Sequence, residues 1–229
     1  MILAGIVPSS LIDYPEKIAA VVFTKGCNFR CPYCQNPELV EGGEINFLSE
    51  EGFFNFLERR IGLLDGVVIT GGEPTLQPDL LPFIEKVKNM GFLVKLDTNG
   101  SDPKGLQSFI GKDLVDYVAM DVKASPEEYP VTAGYGGSIE PILQSIEILK
   151  KTSVAMEFRT TVVPGLTDEE EMEKIARMIE GARVYYIQNF RSYRTLSEEF
   201  SKERSFSLHE LSRFKKIAEK YVAFVGVRN

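Results

Sequence analysis

Histidine occurs once in this chain of 229 residues, at His209. Cysteine is confined to three positions within one stretch of eight residues, Cys27, Cys31 and Cys34. An odd, tightly clustered set of thiols is not a disulfide framework, and such thiols are expected to stay reduced. No apolar run approaches the length needed to span a bilayer. The N-terminus lacks a basic region and is broken by Pro8 and Asp13, so no targeting peptide is expected and the cytoplasm is the expected compartment. Basic residues are the minority: 26 Lys and Arg stand against 33 Asp and Glu, a net charge of −7. That argues against a nucleic-acid surface as the main function. There is no internal repeat, low-complexity tract or linker. Hydrophobic residues make up 44% and charged residues 26%, enough for a real core. The length suits one domain over 1–229, with a core at about 16–191 and a C-terminal helix and strand at 208–227.

The three cysteines are spaced C-x3-C-x2-C in Gly26-Cys27-Asn28-Phe29-Arg30-Cys31-Pro32-Tyr33-Cys34-Gln35-Asn36. A structural cysteine is usually solitary and buried. Three in one loop, and none elsewhere, suggest ligands for one metal centre. A closed zinc site or a standard iron–sulfur cluster takes four protein ligands. Zinc completed by His209 is one reading, although such sites usually pair their cysteines in knuckles. A catalytic thiol would lack a nearby histidine and would not need three cysteines. Three thiolates on a four-iron cluster would leave one iron open to an exogenous molecule.

Around this loop, strand-like and helix-like segments alternate. Residues 18–24 (IAAVVFT) form a continuous apolar run rich in β-branched residues, of the kind found in buried parallel strands, and strands are also expected at 66–70 (GVVIT), 92–97, 115–120, 154–163 and 184–188. Helices are expected at 50–60 behind Ser49, at 80–90, 104–110 and 139–151, after Asp168, and at 208–220, with a last strand at 222–227. Residues 124–138 and 192–207 read as loops. This alternation predicts an α/β fold with a parallel sheet and right-handed crossovers. Six repeats fall short of an eight-stranded barrel, so an open, partial parallel (β/α)6 barrel is expected, with a doubly wound sheet as the alternative. Both place their sites at the carboxyl ends of the strands. There the sequence puts the cysteine loop, Gly71-Gly72-Glu73-Pro74, Asp97-Thr98-Asn99-Gly100, Asp121-Val122-Lys123 and Gln188-Asn189. Arg159 is expected mid-strand, where a guanidinium needs a partner.

The C-x3-C-x2-C motif with an aromatic residue before its third cysteine, followed after the next strand by Gly-Gly-Glu, resembles the radical S-adenosylmethionine (SAM) superfamily. Ser10-Leu11-Ile12-Asp13-Tyr14-Pro15 and Phe23-Thr24-Lys25-Gly26-Cys27-Asn28 look like the activating proteins of anaerobic ribonucleoside-triphosphate reductases. More widely, Asp97-Thr98-Asn99-Gly100, Asp121-Val122-Lys123, Arg159 to Gly165, and Tyr129 with Val131 to Gly134 are similar to motifs of glycyl radical enzyme activating enzymes. The likeness spans residues 4 to 191, and the tail from Ser192 carries no matching motif.

This resemblance implies that Cys27, Cys31 and Cys34 hold one [4Fe–4S] cluster and that SAM chelates its fourth iron. It implies that Tyr33 meets the adenine and that Gly71, Gly72 and Glu73 receive the methionine ammonium. It further implies that Asp97, Asn99, Asp121, Lys123, Arg159 and Gln188 line the SAM site, with a monovalent cation near Asp97 and Asp121. The implied activity is oxidoreductase chemistry: a one-electron donor of flavodoxin or ferredoxin type reduces the cluster, and SAM is cleaved to a 5′-deoxyadenosyl radical. That radical takes a hydrogen atom from a glycine of a partner enzyme, here an anaerobic ribonucleotide reductase. Gln35 departs from the histidine common at that position in relatives, and the ferredoxin-like insert of some activating enzymes is absent. A radical SAM enzyme acting on a small molecule or peptide, and a non-catalytic iron–sulfur or zinc protein, remain the alternatives.

Overall fold

The computed structural model describes residues 1–42 and 48–229. The chain forms two compact units: Met1–Asn28, Glu38–Thr98 and Lys104–Val118 make the first, and Phe29–Pro37, Asn99–Pro103 and Ala119–Asn229 the second. The strands are β1 (Leu3–Ser10), β2 (Ala19–Thr24), β3 (Gly66–Gly71), β4 (Leu93–Thr98), β5 (Tyr117–Asp121), β6 (Ala155–Val162), β7 (Val184–Asn189) and β8 (Phe224–Arg228). They follow one another in sequence order in an eight-stranded sheet, with β1 and β8 at its two ends.

In the first unit β2, β3 and β4 are parallel, with Ala20 opposite Val67 and Val67 opposite Val94. Ala19 to Val22 are all buried, without the alternation of a one-sided sheet, because parallel strands are covered on both faces. Helices α1 (Pro37–Glu41), α2 (Glu50–Glu58), α3 (Leu80–Asn89) and α4 (Pro103–Gly111) lie between the strands in sequence. Ser49 caps α2 as expected, its hydroxyl accepting from Gly52 N–H at 3.0 Å. The ring of Phe53 stacks on Phe83 of α3 at 5.3 Å.

The first strand has no clear sequence signal. Gly5, Pro8 and two serines break its pattern, yet β1 pairs antiparallel with β2. Proline is tolerated because β1 is an edge strand and Pro8 falls at a register irregularity between Val7 and Ser10.

In the second unit β6, β7 and β8 are parallel. They are accompanied by α5 (Tyr129–Thr132), α6 (Glu140–Lys151), α7 (Glu169–Met178) and α8 (Leu208–Ala218). Asp168 caps α7 by accepting from Glu171 N–H at 2.8 Å. Ser207 and Glu210 form a reciprocal capping box on α8. The stretch 124–138, expected as loop, contains the short α5, whose Tyr129 is buried.

Register puts Glu157, Arg159, Tyr186 and Arg228 on one face of these three strands, since Arg159 lies opposite Tyr186 and Gln188 opposite Arg228. Glu157 is fully buried, and the Arg228 guanidinium grips it through two bonds of 2.8 Å. The same guanidinium lies 3.7 Å above the Tyr186 ring. Removing Arg228 takes two charge-assisted hydrogen bonds from the buried Glu157 carboxylate. Arg228→Ala should therefore lower stability by about 3 kcal/mol in chemical denaturation. A loss under about 1 kcal/mol would mean that the pair behaves as a surface contact.

Candidate cofactor site

Strand β2 delivers the first cysteine. Past Thr24 the chain runs through Lys25 and Gly26 to Cys27. The segment after β3 holds the carbonyls of these residues one by one. Gly72 N–H donates to the Thr24 carbonyl at 2.9 Å and Glu73 N–H to the Gly26 carbonyl at 2.7 Å. Gln77 Nε2 donates to the Lys25 carbonyl at 2.7 Å, while its Oε1 accepts from Ile2 N–H at 3.2 Å. Lys25 N–H closes the circuit by donating to the Ile2 carbonyl at 3.2 Å. Gln77 escapes motif reading; the one available signal is the turn at Pro74–Leu76, which folds it back on the Gly-Gly-Glu segment.

The glycines have a steric reason. Gly71 sits at φ +125°, a region L side chains rarely adopt. A Cβ on Gly72 would lie 1.9 Å from the Gly26 carbonyl oxygen. Glu73 is buried, and its Oε1 accepts from Thr75 N–H at 3.1 Å, Thr75 Oγ1 at 2.7 Å and Thr98 Oγ1 at 2.7 Å. Asp97, at the end of β4, pairs with the buried ammonium of Lys95.

The second unit carries the other two cysteines. Cys31 is buried, and its Sγ lies 3.7 Å from the Ala133 carbonyl. Arg30 N–H donates to the same carbonyl at 2.9 Å. Gly134, at φ +55°, allows this approach, because a Cβ there would meet the Arg30 carbonyl at 2.4 Å. No disulfide joins the cysteines, and Cys34 is half-buried. Tyr33 is 4% exposed, and its hydroxyl has no hydrogen-bond partner among the described residues. Burial pushes that phenol well above its ordinary range.

Asp121 accepts from Arg159 Nε at 2.8 Å and from Lys123 Nζ at 2.8 Å. Burial would raise this carboxyl, but the guanidinium and ammonium outweigh it and hold it well below the carboxylate range. Lys123 is correspondingly held up by Asp121 against the effect of burial. The expected mid-strand cost of Arg159 is thus met, and the buried Glu157 lies a further 4.0 Å away. Lys123 N–H also donates to the Tyr129 hydroxyl at 3.1 Å. Asn99 is buried, its Oδ1 accepting from Ser101 N–H at 2.9 Å. Gln188 is half-buried at the end of β7. Asn189 is committed to Phe206 through both ends of its amide, at 2.9 and 3.0 Å.

His209 is exposed on α8. Among the described residues no three Cys, His, Asp or Glu side chains converge on a single metal ion. A cluster asks for something else, since each thiolate binds an iron of its own. Each unit taken by itself has features that suit such a group: a thiol beside a backbone cradle that excludes a Cβ in the first, and two thiols with a buried tyrosine of unsatisfied hydroxyl in the second.

The family model described as the radical SAM superfamily matches residues 21–179. The chain belongs to that superfamily. This radical SAM chain is 40% identical over 232 residues to a provisionally named glycyl-radical enzyme activating enzyme of Methanocaldococcus jannaschii, covering 99% of this chain and 95% of that one. It is 32% identical over 181 residues to the pyruvate formate-lyase-activating enzyme of Clostridium pasteurianum, covering 76% of this chain and 74% of that one. It is therefore an enzyme of the glycyl-radical-enzyme activating type. A radical SAM methyltransferase from Sphaerobacter thermophilus superposes with a TM-score of 0.68 at 16% identity, over 94% of this chain and 67% of that one. That likeness shows the fold, and the expected open α/β architecture is borne out.

Two outcomes follow. Gly72→Ala should cost about 3 kcal/mol, the upper end for overpacking, because the atom it meets is backbone; unchanged unfolding would contradict the cradle. The folded-state pKa of Asp121 lies below its unfolded value, so its contribution to stability is full at neutral pH. It fades as pH falls below about 4 toward the depressed value. The stability gap between the parent and Asp121→Asn should therefore narrow on acidification, and a gap constant down to acid pH would contradict the pairing.

Proposed function

We propose that Cys27, Cys31 and Cys34 each hold one iron of a single [4Fe–4S] cluster, and that SAM occupies the fourth iron. The observation that supports this most is the lock between the backbone leading into Cys27 and the Gly71-Gly72-Glu73 turn, with contacts of 2.7 and 2.9 Å. When bound, the two cofactors supply reductive cleavage of a carbon–sulfur bond and a carbon radical able to take a hydrogen atom.

The chain's own part is binding and orientation. Glu73, fixed by Thr75 and Thr98, presents a carboxylate to the methionine ammonium. Gly71 and Gly72 keep backbone within reach. Tyr33 sets its ring against the adenine and has a hydroxyl to offer. Lys123 and Arg159, braced by Asp121, turn positive charge toward the SAM carboxylate, with Asn99 and Gln188 at the rim. A monovalent cation beside Asp97 and Asp121 has less support, because Lys95, Lys123 and Arg159 already neutralise those carboxylates.

In this reading the hydrogen comes from a glycine Cα of an anaerobic ribonucleoside-triphosphate reductase. The likeness of residues 10–15 and 23–28 to that subgroup supports the choice. A flavodoxin- or ferredoxin-type protein supplies the electron, and the cytoplasm is the compartment. Among the described residues no helix is long and apolar enough to cross a membrane.

Anaerobic reconstitution should load about four irons and four sulfides per chain, and the reduced protein should cleave SAM. Mixed with such a reductase, it should raise a glycyl doublet by electron paramagnetic resonance. Cleavage without a doublet from any glycyl radical enzyme would favour a small-molecule or peptide substrate. Cys31→Ala should abolish cleavage; full activity in that variant would remove Cys31 from the ligand set.

A further inference from the structure

Residues 192–197 carry no motif and none of the roles above. In the second unit the chain leaves β7 at Asn189 and runs alongside the cysteine loop. Three hydrogen bonds join the two segments. Gln35 Nε2 donates to the Arg191 carbonyl at 2.6 Å. Leu196 N–H donates to the Cys34 carbonyl at 3.0 Å, and Ser197 N–H to the Pro32 carbonyl at 2.8 Å. The segment is itself braced. Thr195 Oγ1 donates to the Ser197 carbonyl at 2.7 Å, and Arg191 Nη2 to the Asn229 carbonyl at 2.6 Å. Arg191 to Arg194 are exposed, whereas Thr195, Leu196 and Ser197 are half-buried against the loop.

We propose that residues 191–197 are a positioning strap for the third cysteine, with Gln35 as its side-chain anchor, and that the strap sets the water access and reduction potential of the cluster. This rests on the reading of Cys34 as an iron ligand. Cys34 is only half-buried, so its environment depends on what lies over it. Holding the Cys34 carbonyl fixes the backbone from which its thiolate projects, the kind of outer contact that orients a ligand. Reduction adds one negative charge to the cluster, and water stabilises that charge. Excluding water therefore keeps the potential low. A low potential is what an electron needs to enter a sulfonium. Gln35 makes the anchor with a neutral amide that does not titrate.

The test uses the full chain in three forms: residues 192–197 replaced by a glycine–serine linker of equal length, Gln35→Ala, and Leu196→Pro, which removes the N–H donor. Each is reconstituted without oxygen. The midpoint potential is read by redox titration, and the half-life of the cluster absorbance is read in air. The linker form should move to a less negative potential and lose its cluster severalfold faster than the parent. Gln35→Ala and Leu196→Pro should move the same way by less. A linker form with the parent's potential and half-life would overturn the strap. Hydrogen exchange on the cluster-free parent decides the matter even if a variant fails to fold. The Leu196 and Ser197 amides should exchange roughly tenfold slower than that of exposed Tyr193, and equal rates would overturn the proposal. A parent that takes up no iron would instead defeat the cofactor reading, while the exchange result still judges the strap.

Discussion

Backbone-to-backbone contact at the end of β2 is the constraint on which the first unit's share of the site depends. Three successive carbonyls, of Thr24, Lys25 and Gly26, accept from Gly72 N–H, Gln77 Nε2 and Glu73 N–H. Contact that close leaves no room for a Cβ on Gly72. The position of Cys27 thus follows from the parallel register of β2 and β3, in which Thr24 lies opposite Gly71. The sheet fixes the register, the register fixes the turn, and the turn fixes where the first thiol leaves the strand. A parallel sheet gathers its strand ends and helix-side loops at one edge, which is why sites of this fold class form there.

Buried charge is the second theme. The chain is acidic overall, yet three of its deeply placed carboxylates have a cation beside them: Asp97 with Lys95, Asp121 with Lys123 and Arg159, and Glu157 with Arg228. Glu73 is buried as well, and its Oε1 accepts from Thr75 N–H and from the Thr75 and Thr98 hydroxyls. SAM itself carries ammonium, sulfonium and carboxylate groups. A site meant for it needs both signs held in place, so that little reorganisation accompanies binding. Pairing Arg159 and Lys123 with Asp121 orders two flexible cations in advance.

Much of this was legible in the sequence, for identifiable reasons. Strand β2 announces itself because both faces are covered and its run is apolar up to Thr24. The motifs at the strand ends are legible because glycines and acids break the strands abruptly. What escaped has physical causes too. Strand β1 hides behind Pro8 and Gly5, which an edge strand tolerates. Glu157 and Arg228 are 71 residues apart, and only the β6–β7–β8 register brings them together. Two of the three contacts from residues 191–197 to the cysteine loop run through backbone N–H groups, which leave no side-chain signature. Gln77 reads as an ordinary polar residue until the turn at Pro74–Leu76 folds it back onto Lys25.

The central claim is that three thiolates leave one iron open and that SAM occupies it. The most direct test is electron–nuclear double resonance on the reduced, reconstituted protein with SAM labelled at its amino nitrogen and carboxylate oxygen. The account predicts hyperfine coupling from both labels to the cluster, lost when SAM is left out. A cluster that reduces normally but shows no coupling to either label would contradict it.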